Sequence, residues 1–281
     1  MREKDEGTSI PEGFLKQPDE LTTLAVSKPL EGVARVALNR PEKLNAFNST
    51  MLRELRAVIW QMNFDENVRV IILTGQGRGF SSGRDIQELQ DERGMLLPQY
   101  RAYVRANHET FDDIEAIEKP VIAAINGVCA GGGVELAVSC DFRIASKAAT
   151  FLLPEIFIGV IPASGACSRM IQMIGIEAVK DLVMTGRAIG AEEARDLGLV
   201  SRLVEANELD DAALTLARQL MAGAPLAIGI AKQVINTCQN VDTETGRILE
   251  RLAQSSLVGT ADSTEGIRAF LEKRRPGFKG R

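Results

Sequence analysis

The sequence has few of the residues from which metal sites and His-dependent nucleophilic sites are built. Its 281 residues include one histidine, His108, and four widely spaced cysteines without a CxxC pair, namely Cys129, Cys140, Cys167 and Cys238. Zinc sites need clustered Cys and His ligands, and an activated nucleophile needs a base beside it. We therefore expect no metal, thiols that are small buried residues in a reducing compartment, and a helix-surface position for His108.

Aromatic residues and an excess of basic charge are also lacking. Aromatics make up 5% of the chain, so its core must be packed mainly with aliphatic side chains. The net charge of −5 and the pI near 5.2 argue against a nucleic acid or a membrane surface as the main partner. The N-terminus has no apolar signal segment, and no apolar run is long enough to span a membrane, so we expect a cytoplasmic protein.

Strand and helix patterns alternate along the chain. Apolar runs predict strands, and amphipathic stretches predict helices between them. The predicted strands are residues 21–26, 33–38, 68–74, 121–125 and 142–145, and the predicted helices before the C-terminal region are residues 50–65, 99–117, 163–174, 176–184 and 191–197. This order predicts an α/β fold with a parallel or mixed sheet and helices on its outer side.

The two ends of the chain differ from this central part. Residues 1–20 are polar and are predicted to form a flexible tail. From Glu208 onward the pattern is helical, with helices predicted at residues 209–221, 225–238, 242–258 and 263–275. We therefore divide the chain into a tail, a core at residues 21–205, and a C-terminal region at residues 206–281 that is either a small domain or an oligomer surface.

The most informative stretch begins with the predicted strand Val121–Ile125. A turn follows it, and then the glycine triplet Gly131–Gly133 precedes an apolar segment whose single charge is Glu135. If Gly132 opens a helix, its N–H has no intrahelical acceptor and can bind a carbonyl oxygen that gains negative charge. Taken alone, a glycine triplet is typical of a tight strand-to-helix turn, and such a glutamate is usually salt-bridged or partly exposed.

Two further features strengthen the functional interpretation. Glu155 is a second lone carboxylate in apolar surroundings, and two carboxylates in dry settings can have separated pKa values. The loop at residues 77–86 repeats the design of buried strand, glycine-rich turn and helix. Two such junctions can direct two backbone N–H groups at one oxygen atom.

Six spaced segments resemble the crotonase superfamily, and most closely its enoyl-CoA hydratase members. They are NRPEKLNAF, FSSGRDI, KPVIAAINGVCAGGGVELAVSCD, LPEIFIGVIP, MTGRAIGAEEARDLGLVSRLV and AFLEKRRPGFKG, and the resemblance covers roughly residues 21–281. It implies a crotonase-like spiral of ββα units, with C-terminal helices that build a homotrimer or a dimer of trimers. It also implies an acyl-CoA thioester substrate and no cofactor beyond the coenzyme A of that substrate.

The resemblance implies a role for particular residues. The backbone N–H groups of Arg84 and Gly132 form the oxyanion hole, Glu135 holds and activates water, and Glu155 delivers a proton to Cα. Further substrate contacts are implied at Lys43, Ala46, Ser82, Asp85, Ile86 and Gly131. Candidates for binding the coenzyme A phosphates are Arg40, Lys43, Lys273 and Lys279. For the Arg84 side chain we favour a solvated position, and the alternative is contact with a phosphate or an acid.

One segment departs from the family pattern. Many relatives have a PGxGG turn after the second glutamate, whereas this chain has IPASGAC at residues 161–167, which predicts a changed pocket wall and acyl preference. Ser164 and Cys167 match no family nucleophile. Both glutamates favour hydration of a 2-enoyl-CoA to a 3-hydroxyacyl-CoA. The alternatives are a double-bond isomerase and a catalytically idle binding protein with the same fold.

Overall fold

A computed structural model describes residues 20–281, so the tail predicted at residues 1–20 lies outside the described residues except for Glu20. The strands are β1 (Leu24–Leu30), β2 (Gly32–Leu38), β3 (Val68–Gly75), β4 (Gly79–Ser81), β5 (Val121–Ile125), β6 (Val128–Ala130), β7 (Phe142–Ser146), β8 (Thr150–Leu152), β9 (Ile189–Gly190) and β10 (Arg202–Val204). The helices are α1 (Ser49–Phe64), α2 (Ile86–Glu92), α3 (Leu97–Ala116), α4 (Gly132–Ser139), α5 (Ala166–Thr185), α6 (Ala191–Asp196), α7 (Leu209–Met221), α8 (Pro225–Cys238), α9 (Thr243–Leu257) and α10 (Ala261–Leu271).

The strands of residues 20–281 form two sheets. The larger has the order β1-β2-β3-β5-β7-β10, with β1 antiparallel to β2 and the other neighbours parallel. The smaller has the order β4-β6-β8-β9, in which β8 and β9 are antiparallel. The pairs β3 and β4, β5 and β6, and β7 and β8 each place one strand in each sheet before the chain continues into a helix. The predicted spiral of ββα units is confirmed.

The larger sheet is covered on both faces, which explains why its strands are almost continuously apolar. Ile71 and Leu73 of β3 face the main core with helix α1, whereas Ile72 faces a second core. Leu216 and Ala217 of α7 pack into this second core. Helix α7 therefore packs directly on this face of the sheet.

Several helix ends have identifiable causes. Asn48 caps α1, because its side chain accepts a hydrogen bond from the Met51 N–H at 2.8 Å. Gly175 interrupts α5 with φ 80° and ψ 159°, at the break predicted between the helices at residues 163–174 and 176–184. Helix α10 ends at Leu271, four residues before the predicted end, where Lys273 has φ 53° and the chain leaves the helical conformation.

Helix α8 is held against the core by a buried lysine. Lys232 forms a 2.9 Å ion pair with Asp141 and donates to the Ile114 carbonyl at 3.0 Å.

Within residues 20–281 no single helix is long and apolar enough to cross a membrane. The segments 206–221 and 225–238 reach that length and composition only as a pair bent by 104°.

Candidate active site

The glycine triplet is required by close packing around the start of α4. A Cβ on Gly131 would lie 2.7 Å from Glu155 Oε1, and one on Gly133 would lie 2.6 Å from the Ser81 carbonyl oxygen. Gly131 also has φ 50°, a conformation that L side chains rarely adopt. Helix α4 then begins at Gly132, so the N–H of Gly132 stands at the positive end of the helix, as predicted.

The second glycine loop brings another N–H group to the same place. Phe47 fixes this loop by donating its N–H to the Gly83 carbonyl at 2.7 Å and accepting the Asp85 N–H at 2.8 Å. A Cβ on Gly83 would lie 3.0 Å from the Gly132 nitrogen, so the two loops touch. Within residues 20–281, no acceptor is found for the N–H of Arg84 or of Gly132. Both N–H groups are therefore available to a ligand.

Glu135 is buried and receives hydrogen bonds at one oxygen. Its side chain is on α4, and the residue is 4% exposed. Glu135 Oε1 accepts the N–H groups of Ser164 at 2.5 Å and Ala166 at 3.2 Å, at the start of α5. Burial raises the pKa of Glu135, while these two donors and the charge of Arg169 oppose the rise. Glu135 is thus a buried carboxyl group whose ionised form is supported by backbone donors.

Glu155 lies in a different setting, on the 3₁₀ turn Pro154–Ile158 that follows β8. Its Oε2 is buried, and no hydrogen-bond partner for this atom is found within residues 20–281. Burial raises the pKa of Glu155 to about 7, and the nearby charge of Glu135 contributes to the rise. At neutral pH, Glu155 can therefore hold a proton, while Glu135 has donors that stabilise its charge.

These groups surround one cavity of about 280 Å³. Arg84, Gly132, Glu135 and Glu155 all line it, so the structure brings these four residues together. The apolar part of its wall is formed by Ile86, Leu89, Val104, Pro154, Phe157, Ile158, Val160, Ile161, Pro162 and Ala163. The cavity combines a carbonyl-binding corner, two carboxyl groups and a mainly apolar wall.

The predicted substrate-contact residues divide into two groups. Ser82, Ile86 and Gly131 line the cavity, whereas Lys43, Ala46 and Asp85 are not among its lining residues. Asp85 instead caps α2 through the Gln87 N–H at 3.2 Å and pairs with Arg40 at 3.0 Å. Arg40 is therefore already engaged, while Lys43, Lys273 and Lys279 are exposed.

The favoured expectation of a solvated Arg84 side chain is wrong, and the alternative, contact with an acid, is the one observed. Its guanidinium group pairs with the buried Glu92, lies 3.7 Å from Glu88, and donates to the Tyr103 hydroxyl at 2.8 Å. Helix α2 turns back over Arg84, which brings the carboxylates into reach. Glu92 lines the cavity and was missed from the sequence, where it is one acid in a charged helix.

The surface position expected for His108 is also wrong. His108 is half-buried, and its Nε2 is buried without a partner within residues 20–281. Burial lowers its pKa, Asp112 opposes this, and Arg169 adds to it. His108 lines the cavity together with Tyr100, Val104 and Asn107 of α3. Their spacing places them on one helical face, but the sequence alone does not show which face of α3 the rest of the fold covers.

Two larger cavities, of about 850 and 1040 Å³, lie beside α8. Neither is lined by Glu135, Glu155, Arg84 or Gly132, so the candidate active site is not in the largest cavity. Within residues 20–281 no group of three or more His, Cys, Asp and Glu side chains is arranged to hold a metal ion.

The fold and site together define a class of protein: a ββα spiral in which two glycine loops and two glutamates meet at one cavity. The family model described as Enoyl-CoA hydratase/isomerase matches residues 29–281. The Short-chain-enoyl-CoA hydratase of Clostridium acetobutylicum is 39% identical over 265 residues, which cover 93% of this chain and 100% of that protein. The 2,3-dehydroadipyl-CoA hydratase of Escherichia coli is 36% identical over 262 residues, with 93% and 100% covered.

A solved structure agrees with these sequence matches. The enoyl-CoA hydratase from Bacillus anthracis superposes with a TM-score of 0.87 at 37% identity, covering 92% of this chain and 100% of that one. The chain therefore belongs to the enoyl-CoA hydratase/isomerase family of the crotonase superfamily, and the resemblance found in its sequence is confirmed.

Proposed function

We propose that this chain is an enoyl-CoA hydratase that adds water across the 2,3 double bond of a 2-enoyl-CoA thioester. The product is a 3-hydroxyacyl-CoA. The observation that carries the proposal is the pair Glu135 and Glu155, which line one cavity in settings that favour different protonation states. Hydration needs both a base for water and an acid for carbon, and this pair can supply them.

The two free N–H groups account for activation of the thioester. The substrate carbonyl oxygen accepts hydrogen bonds from Arg84 and Gly132. As the water oxygen bonds to Cβ, the π electrons of the double bond move through Cα to the carbonyl oxygen, which becomes enolate-like. The N–H groups then face a full negative charge, and one such donor typically contributes about 3 to 4 kcal/mol to transition-state stabilisation.

The two glutamates account for the protons. Glu135 takes a proton from the attacking water, and Glu155 gives its proton to Cα as the enolate collapses. One proton is therefore carried by the pair before and after the reaction, on Glu155 at the start and on Glu135 at the end. Because the two carboxyl groups interact, their protonation steps belong to the pair, and each role is assigned within that pair.

Two other functions are less well supported. A double-bond isomerase moves a proton between two carbons and needs one such carboxyl group, so it leaves either Glu135 or Glu155 without a role. A binding protein needs neither the free N–H groups nor a carboxyl group whose pKa is raised to about 7. The second carboxyl group therefore favours the hydratase.

We also infer a homotrimer or a dimer of trimers, as the sequence resemblance implies. The C-terminal helices carry large exposed apolar side chains, including Leu252, Ile267, Phe270 and Leu271, and exposed apolar patches mark interaction surfaces. Sedimentation should give a mass of three or six chains. The proposal includes a cytoplasmic location and no cofactor besides the coenzyme A of the substrate.

The test is hydration of crotonyl-CoA by the purified protein. We expect loss of absorbance in the enoyl-thioester band and a product heavier by one water. Glu155→Gln should lower kcat at least about 100-fold while thioester binding persists, because the amide cannot deliver a proton. Glu177→Gln, at an exposed position on α5, is the matched control. Unchanged turnover by folded Glu155→Gln would remove Glu155 from the mechanism, and a shifted double bond without added water would identify an isomerase.

A further inference from the structure

The wall that α3 contributes to the cavity is more polar than a hydrocarbon chain requires. Four residues of this helix line the cavity, spaced along one face: Tyr100, Val104, Asn107 and His108. Three of them carry hydrogen-bonding groups: a phenol, a carboxamide and an imidazole. The lining residues between Phe157 and Pro162 are apolar. The cavity therefore has one polar side beyond its catalytic groups.

The polar groups on this face are free within the protein. No side-chain hydrogen bond of Tyr100, Asn107 or His108 to another residue of the described chain, 20–281, is found. His108 Nε2 is the clearest case, because the atom is buried from solvent and has no partner there. Buried polar atoms are rarely left unsatisfied in proteins, and an exception beside a binding cavity calls for a ligand.

His108 lines the same cavity as Ser164, whose N–H donates to the catalytic Glu135 at 2.5 Å. Arg169 links the two residues, because it donates to the Ser164 carbonyl at 2.9 Å and its charge acts on His108. His108 and Ser164 both also border the adjoining larger cavity. An acyl group that extends from the two carboxyl groups toward the larger cavity would therefore come within reach of the imidazole.

The charges around the cavity decide what kind of polar group fits. Among the lining residues within 20–281, Arg84 is the one cation, and its Nη2 pairs with Glu92 and Glu88 while its buried Nη1 has no partner. Glu92, Glu135 and Glu155 also line the cavity, so three acids face this one cation. A carboxylate on the acyl chain would add a further negative charge to a lining in which acids already outnumber cations. An uncharged oxygen would meet donors and acceptors, since a neutral imidazole has one of each.

We propose that the acyl group of the substrate carries an uncharged oxygen, as a hydroxyl or a carbonyl, that hydrogen-bonds to His108 Nε2 at the α3 wall. This inference rests on the proposed function, because it takes the thioester carbonyl to lie at Arg84 and Gly132. His108 is then a specificity-determining residue, outside the group that carries out hydration. The proposal thus specifies a substrate class, oxygenated acyl-CoA thioesters, that the apolar wall alone would not predict.

Binding of saturated acyl-CoA thioesters tests the proposal without requiring turnover. Calorimetry would compare 4-, 5- and 6-hydroxyhexanoyl-CoA with the thioesters in which a methyl group replaces each hydroxyl. We expect at least one hydroxyl compound to bind at least about fivefold more tightly than its methyl counterpart, because the methyl group leaves Nε2 unpaired. The same compound should also bind more tightly than adipyl-CoA, which carries a carboxylate.

Three variants assign the preference to the imidazole. His108→Leu should reduce it to less than about twofold, and His108→Gln, which restores a hydrogen-bonding group, should recover part of it. Val104→Ala, one turn away on the same face, should keep the preference. The proposal is overturned if, at every position, the methyl compound binds as tightly as its hydroxyl counterpart. It is also overturned if the preference survives His108→Leu, or if adipyl-CoA binds more tightly than the preferred hydroxyl compound.

The two proposals fail separately in these experiments. A protein that shows the hydroxyl preference but does not hydrate crotonyl-CoA would contradict the hydratase and support the oxygenated acyl group. A protein that hydrates crotonyl-CoA but prefers the methyl compounds would support the hydratase and contradict the oxygenated acyl group. Failure to bind any of the thioesters would contradict both.

Discussion

Gly83 lies where the two glycine loops touch, so its replacement by alanine is the most direct perturbation of the carbonyl-binding corner. Its φ is +87°, and an added Cβ would lie 2.8 Å from the Ala130 carbonyl oxygen and 3.0 Å from the Gly132 nitrogen. Both neighbours are backbone atoms, so no side-chain rotation can relieve the contact. In Gly83→Ala the loop that carries Arg84 must move away from Gly132.

The size of the effect follows from these distances. Ordinary van der Waals contact begins at 3.4 Å, so the two approaches are too short by 0.6 and 0.4 Å. Catalytic N–H donors work within about 2.7 to 3.1 Å of the oxyanion, and a shift of about half an ångström removes one donor from that range. The loss is about 3 to 4 kcal/mol, or about 10²- to 10³-fold in kcat. KM should change less, because the carbonyl gains its charge mainly in the transition state.

Gly175→Ala is the matched control, since Gly175 has φ +80° and nothing lies within 4 Å of an added Cβ. Both variants place alanine at a positive φ, which costs about 1 to 3 kcal/mol, and Gly83→Ala should lose more in urea unfolding because of its two backbone contacts. Crotonyl-CoA kinetics should then separate them, with a large fall in kcat for Gly83→Ala alone. If the two variants have kcat values within about threefold of each other, the contact between the loops does not set the N–H geometry.

Two further predictions concern titration and stability. The glutamate pair carries one proton in both directions, so kcat/KM for hydration and for dehydration should fall together by about tenfold per pH unit above about pH 7, where burial places the pKa of Glu155; pH profiles that stay flat to about pH 9 would contradict this assignment. Lys232→Met should lower the free energy of unfolding by about 3 to 5 kcal/mol, because it leaves Asp141 buried without its cation. Adding Asp141→Asn should recover most of that loss in urea unfolding, and a double variant no better than Lys232→Met would show that the lysine acts through packing instead.

The sequence predicted the large sheet better than the small one. Val121–Ile125 is buried on both faces and reads as a continuous apolar run, so its strand was found with the same bounds. Strands β4, β6 and β8 have three residues each and were not predicted as strands. Three residues are too few to establish a period, and these strands form because the spiral brings them together. Their existence depends on the fold rather than on local sequence.

The same distinction applies to the site. The glycine loops and the two glutamates could be located from sequence, because glycine and isolated charges stand out locally. Glu92 and His108 could not, since each lies on a helix whose exposed and covered faces depend on elements elsewhere in the fold. Glu88 and Glu92 of helix α2 pair with Arg84, and residues of the segment from Phe157 to Ser164 line the same cavity as α3. Without those neighbours, both residues look like ordinary polar residues of a helix surface.

The environment of Glu135 depends on backbone N–H groups. Glu135 Oε1 is held by the N–H groups of Ser164 and Ala166, within the segment that departs from the family pattern. Because these contacts come from the backbone, side chains in this segment can change without removing the donors that support ionised Glu135. Ala163 and Ser164 also line the cavity, so their side chains can alter its shape. The segment can therefore change acyl preference while the base for water keeps its donors.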